Sequence, residues 1–386
     1  DIAYDANANR VVLVYRAVTT DYGQAAVGAV TGGGTNSISF GTPVTFWSSG
    51  AIRYPAIVYL AATNKMVLLW HIDYGSKVLL ARSGTVDTSS ETITFGTEIT
   101  VNATGQSMYM TRGSFYDPDT ERVVLCYMDL SDSENGNACL IENTTGTTLS
   151  AHTEYTFDTG SVEYVSACYD TTNDKGIVFF RDKHDGYYLK AMVMTIVGGV
   201  TNSITFGTEI SAVSSDVTHI DCDFDATAGK VVVIYDDGTA NRGKAITGTI
   251  SGTGASATST WDDSIEVSGT SGLEYPSVCY DPDAGKSILL YVDNSNSGHG
   301  TANVYTVPFG STNLTAENYI GISDGAYSSS STATIQIAGS VDDAQSSLTP
   351  GQTYYISFDG SLVLTPIDPS VVAGTAVTAT KLIVKG

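Results

Sequence analysis

The chain has 386 residues, few of them charged, and its 41 acidic side chains outnumber 18 Lys plus Arg for a net charge of −23. Such a surface repels phosphate backbones and anionic lipid, which argues against nucleic acid and membrane insertion as partners. No run of about eighteen apolar residues is present, so no membrane-spanning helix is expected. The chain opens Asp1-Ile2-Ala3-Tyr4 without Met, as a processed product or a fragment would. Five Cys without CxxC spacing speak against a disulfide framework or a zinc site.

A repeat organises the first 309 residues. Aromatic anchors stand at Tyr4, Tyr59, Tyr116, Tyr169, Phe224 and Tyr280, at spacings of 55, 57, 53, 55 and 56. A cation follows each anchor six positions on (Arg10, Lys65, Arg122, Lys175, Lys230, Lys286), and a second aromatic eleven positions on. Asp comes directly after five of the six anchors, with Leu60 the exception. A fixed period of this kind signals a repeat architecture.

Within each copy the expected order is four strands. The first ends at the anchor and enters a turn such as Asp281-Pro282-Asp283-Ala284-Gly285, whose residues suit tight reversal. The second is a β-branched run such as Val231–Tyr235, and the third resembles Ala245–Ile250. The fourth is a Ser/Thr-Ile-Ser/Thr-Phe-Gly-Thr segment at Ser37–Thr42, Thr92–Thr97 and Ser203–Thr208, with degenerate versions around Phe157 and Trp261. The sixth copy has no clear fourth strand. The fold class expected is all-β: a six-unit β-propeller over residues 1–309, then a small β domain over 310–386 for assembly or attachment. The rival is an open β-solenoid. The small domain shows alternating stretches at Thr332–Ile337, Thr353–Ser357 and Lys381–Val384.

The Tyr-Asp-x4-Lys/Arg-Val-Val and Ser-Ile-Ser-Phe-Gly-Thr patterns resemble repeats in tail-fibre and other virion appendage proteins of tailed bacteriophages. Asn318–Gly325, Leu348–Ile356 and Ala376–Val384 are similar to the same group. The resemblance implies a non-enzymatic structural or adhesion role on a virion. It also implies other virion proteins and a host-surface glycan or receptor as partners, and a homotrimer as the assembly. It supplies no catalytic residue. A propeller glycosidase or lyase acting on envelope polysaccharide, and a cellular surface adhesin, are the alternatives.

Two candidate sites follow from the pattern. Five positions before the anchor, four copies carry a ring (Tyr54, Tyr164, His219, Tyr275) and one carries Thr111. Arg53, Glu163 and Glu274 stand beside three of these rings, a combination suited to stacking on sugars and bonding their hydroxyls. The competing reading is packing between neighbouring units. The second candidate is a rim of carboxylates in the loops after the second strands: Asp21, Asp73, Asp129, Asp132, Glu134, Asp182, Asp185, Asp236, Asp237 and Asp293. Asp132, Glu134, Asp236 and Asp237 are its candidates for Ca²⁺ or Mg²⁺, although no loop has the order of a calcium loop; a solvated rim is the alternative. The Asp and Lys/Arg of each first turn read as turn geometry with weak surface ion pairs. All five Cys read as small buried hydrophobes.

Overall fold

A run such as Val231–Tyr235, apolar at every position, needs cover on both faces, and all five of these residues are inaccessible to solvent. They lie in a strand, Lys230–Asp237, paired antiparallel with Val217–Asp225 on one side and Arg242–Ser251 on the other. The same arrangement recurs along the chain. The structure is a computed structural model that describes all residues except 33–36, 73–77, 104–111, 270–271, 308–318, 326, 328–331, 357–360, 365, 367–370 and 386. The chain divides into two compact units, Asp1–Val307 and Pro308–Gly386. Among the described residues there are only short 3₁₀ turns besides strands.

The first unit is a propeller-like succession of antiparallel sheets in which consecutive strands pair in chain order. Five sheets have a fourth position filled by two short strands, both paired with the third strand. In the first sheet these are Ser37–Phe40 and Val44–Trp47, alongside Gly23–Thr31. The sheet over Leu273–Tyr305 has three strands among the described residues. The split outer strand corrects one expectation. Trp261 pairs with Gly248 as Phe40 pairs with Gly28, but Phe157 lies in the second piece, Tyr155–Asp158. The first piece of that sheet is Thr148–Ala151.

Five apolar clusters each join one sheet to the next, from Val12, Val14 and Ile57 at the start to Val232, Leu273 and Leu289 at the end. Among the described residues no such cluster joins the first sheet to the last, and Tyr4 (52%) and Val304 (71%) are exposed there. The anchors add polar latches between consecutive sheets. The Tyr59 hydroxyl accepts from the Asn7 amide, Tyr116 accepts from Ala62, Tyr169 donates to Asp119, and Tyr280 bonds Thr227. Each ring thus reaches the first turn of the preceding sheet. Phe224 has no hydroxyl to do so.

The first turns have the expected Asp-capped geometry but not the expected ion pairs. Asp5, Asp117, Asp170 and Asp225 are buried, and each accepts from one or two backbone amides of its own turn. Several repeat cations turn elsewhere: Arg10 to Glu91 of the next sheet, Arg122 to Glu142, and Lys230 to Asp262. A carboxylate saturated by amides caps the turn, which leaves the cation free to brace another strand.

The glycine of Phe-Gly-Thr marks where one sheet's backbone abuts the next. A Cβ on Gly41, Gly96 or Gly207 would stand 2.1, 2.2 or 2.2 Å from the carbonyl oxygens of Glu91, Thr147 and Ala257. Neither backbone can yield without separating two sheets.

The second unit is a five-stranded antiparallel sheet ordered Val341–Asp342, Lys381–Val384, Val372–Thr378, Thr353–Ile356 and Leu362–Val363. Leu348, Tyr354, Ile356, Val371, Ala373 and Leu382 form its core. The stretch expected over Thr332–Ile337 contributes only Ile335–Gln336, paired with Ile322–Ser323. Asp359-Gly360 lies outside the described residues.

Gly207→Ala is expected to destabilise the protein by roughly 1–3 kcal/mol through overpacking. Gly300→Ala, where a Cβ meets nothing within 4 Å, should stay within about 0.5 kcal/mol. Urea unfolding of both variants checks the contrast.

Candidate functional site

Four first strands carry an extra residue relative to their partners. The pairing slips between Arg53 and Ala56, Glu163 and Ser166, Thr218 and Asp221, and Glu274 and Ser277. At each slip the ring residue adopts left-handed backbone: Tyr54 at φ 47°, Tyr164 at 49°, His219 at 51° and Tyr275 at 49°. Bulky residues pay of order 1–3 kcal/mol for such backbone. A bulge re-aims a side chain out of the pleat, and these four are re-aimed onto one place.

That place is a cavity of about 600 Å³, lined by Tyr54, Tyr164, His219 and Tyr275 with Pro55, Pro276, Ala56, Ile220, Arg112, Glu163 and Asp1. The lining draws on every repeat. Tyr164 and His219 have centroids 5.2 Å apart, His219 and Tyr275 5.7 Å in an edge-to-face arrangement. Tyr54 stacks on His71 at 5.4 Å. Tyr164, His219 and Tyr275 therefore pack between neighbouring sheets, Tyr54 stacks within its own, and all four rings line the cavity. Tyr275 is the most open, at 73%.

Polar groups complete the wall. Glu163 accepts from Arg181 Nη1 at 2.7 Å and lies 3.3 Å from Lys183 Nζ. Arg53 and Glu274, named with the rings, are not among the lining residues; Glu274 accepts from Asn294 at 3.3 Å. Burial lowers the His219 pKa, against the pull of Asp236 and Glu274, and favours the neutral ring.

Arg112 was not predicted. In the third copy the spacing is shorter, and the left-handed residue is Arg112 (φ 50°), while Thr111 lies outside the described residues. Arg112 donates to Asp221 Oδ2 at 3.1 Å. Asp221 Oδ2 also accepts from the Val278 amide at 2.8 Å, and Oδ1 from Ser166 Oγ at 3.2 Å. One carboxylate thereby ties four consecutive repeats together beside the cavity. Asp221 is fully buried, and desolvation raises its pKa to about 6 although Arg112 and the Val278 amide pull it down. Asp223, two residues on, accepts from the Tyr280 amide at 2.8 Å and is likewise raised by burial.

The carboxylate rim does not assemble. Asp129, Asp182, Asp237 and Asp293 are buried and accept from amides two residues on in their own loops. Of the cation candidates, Glu134 pairs with Lys183 and Asp237 with Lys244 at 2.7 Å. Asp236 accepts from the Leu273 amide and Thr218, and Asp132 is exposed. Among the described residues no three His, Cys, Asp or Glu are grouped to hold a metal ion; Asp73 lies outside them. Cys126, Cys139, Cys168 and Cys222 are buried as expected, whereas Cys279 is exposed.

No protein family model matches the chain, and no curated protein matches it. Among solved structures the chain is similar to a protein named as a 6-phosphogluconolactonase from Bacteroides uniformis. The identity is 11% and the TM-score 0.43, over 80% of this chain and 86% of the other. It is also similar to a mutant Aleuria aurantia lectin in complex with α-methyl-L-fucoside, at 10% identity and TM-score 0.36, over 78% of this chain and 95% of the lectin.

Asp221 gives the site a pH signature. Its folded-state pKa lies above the unfolded value near 3.8, so ionised Asp221 costs stability above about pH 6, and the cost is relieved as pH falls towards 4. The relief is on the order of 3 kcal/mol. Between about pH 7.5 and 4.5 the wild-type chain should therefore gain stability relative to Asp221→Asn. Parallel melting curves across that range would contradict the assignment.

Proposed function

We propose that the chain is a non-enzymatic adhesion subunit of a virion fibre or appendage, built on a six-repeat propeller, that binds host-surface glycans in its central cavity. The observation that carries this reading is the convergence of four rings, each at a strained bulge, on one cavity of about 600 Å³. That volume suits a small ligand such as one or two sugar rings. Strain repeated at four equivalent positions is retained where function requires it. Aromatic faces meet the C–H faces of pyranose rings, and Arg112 and Glu163 offer a donor and an acceptor to hydroxyls. A rigid sheet framework presenting a variable site is the usual division of labour in binding proteins. In this reading the second unit serves assembly or attachment to other virion proteins, and the fibre is a trimer.

Tyr275→Ala and Tyr164→Ala should each weaken adsorption to host cells, and binding to the glycan selected from an array, by roughly tenfold per ring. Melting of Tyr275→Ala should change little, since that ring is mostly exposed. Variants that lose stability but keep full binding would exclude the cavity as the site. Chelation with EDTA should leave binding intact, because Glu134 and Asp237 are committed to lysines.

A further inference from the structure

The glycan reading leaves open which sugars the cavity admits, and its electrostatics decide that. Arg112 supplies the lining's permanent positive charge, and this charge is already matched. Its guanidinium lies 3.1 Å from Asp221 Oδ2 and is close enough to Asp223 to favour that carboxylate's ionised form. Glu163 is held by Arg181 and Lys183, and Asp236 and Glu274 add negative potential at His219. The whole chain carries −23. At neutral pH a ligand carboxylate entering the cavity would find no unmatched cation among the described lining residues, the Asp1 amine having its pKa lowered to about 6, and an excess of like charge. Hydroxyls are better served: the Arg112 side chain is 39% exposed, and a guanidinium has five N–H donors, so those not given to Asp221 remain to bond neutral oxygens.

We propose that the cavity selects uncharged hexopyranosides over the corresponding uronic acids, and that the Arg112–Asp221 pair sets this selectivity. This rests on the glycan reading and narrows it. A like charge at about 6 Å in a partly screened site is worth roughly ten- to a hundred-fold in affinity. Asp221 acts as a positioning residue: it holds Arg112 and cancels its charge without touching the sugar.

The test is calorimetric titration of the full chain with matched pairs, methyl glucoside against methyl glucuronide and methyl galactoside against methyl galacturonide, at about pH 7.5. The neutral member of any pair that binds should win by at least about tenfold. In Asp221→Asn the guanidinium loses its paired carboxylate and keeps only the more distant Asp223, and the ratio should shift towards the uronide by about tenfold. Should that variant fail to fold, the wild-type chain at about pH 5 provides the same comparison, because Asp221 becomes protonated while a uronide stays ionised. The groups facing Asp221 are Arg112, Asp223, Ser166 and the Val278 amide. Asp223 moves in the same direction; His219 is removed as a contributor in His219→Phe, and the Asp1 amine, which also lines the cavity with its pKa lowered to about 6, is removed by N-terminal acetylation. A uronide preferred by the wild-type chain at neutral pH would overturn the inference and leave the glycan reading standing. A ratio unmoved by both the substitution and the pH change would overturn the role of the Arg112–Asp221 pair. No binding of any pair member at millimolar concentration by folded protein would bring down the glycan reading, and this inference with it.

Discussion

The geometry of the cavity depends on a single buried carboxylate. Asp221 accepts from a guanidinium, a hydroxyl and an amide contributed by three other repeats, so the first strands of four sheets are drawn to one point. An ionised group without water is costly, and the raised pKa expresses that cost. The three donors offset part of it, and each is fixed by the strand that carries it. The site is accordingly rigid where it is polar and open where it is aromatic, with Tyr275 at its mouth.

Around this centre the framework repeats its joints. Apolar clusters, tyrosine latches and abutting glycines recur at successive sheet boundaries, and they use residues common to most copies. At the bulges Tyr54, Arg112, Tyr164, His219 and Tyr275 share one backbone conformation, while the side chain is Tyr in three copies and Arg or His in the others. Because the joints fix the sheets, a side chain at a bulge can change without loss of the fold.

Much of this was legible in the sequence because it is periodic. Anchors, cations and β-branched runs in register specified the sheets, and the ring positions were identifiable because four copies shared them. The pattern does not reveal the bulges at Tyr164 and His219, whereas Pro55 and Pro276 inside otherwise continuous strands mark the other two, since proline in a sheet is confined to edge strands and bulges. Arg112 escaped because a shorter spacing moved it one place from the position occupied by rings elsewhere. Asp221 sits where the other copies place Ala56, Ser166 and Ser277; a lone acid among small residues was the available signal. The turn geometry of the first-turn aspartates was legible, but neither reading of the loop carboxylates, solvated rim or cation site, foresees their burial, because the amides that satisfy Asp129, Asp182, Asp237 and Asp293 belong to backbone conformation, which composition does not report.

The tyrosine latches have a direction. Each ring reaches back to the turn of the copy before it, so the described junctions that carry a hydroxyl share one direction while the partner atom differs. A whole copy gained or lost in the gene would meet a latch of the same direction at its new boundary, whereas loss of any of the four copies that Asp221 ties would remove a bond to that carboxylate. Lineages of such a protein could then change the number of sheets by unequal recombination outside that four-copy tie.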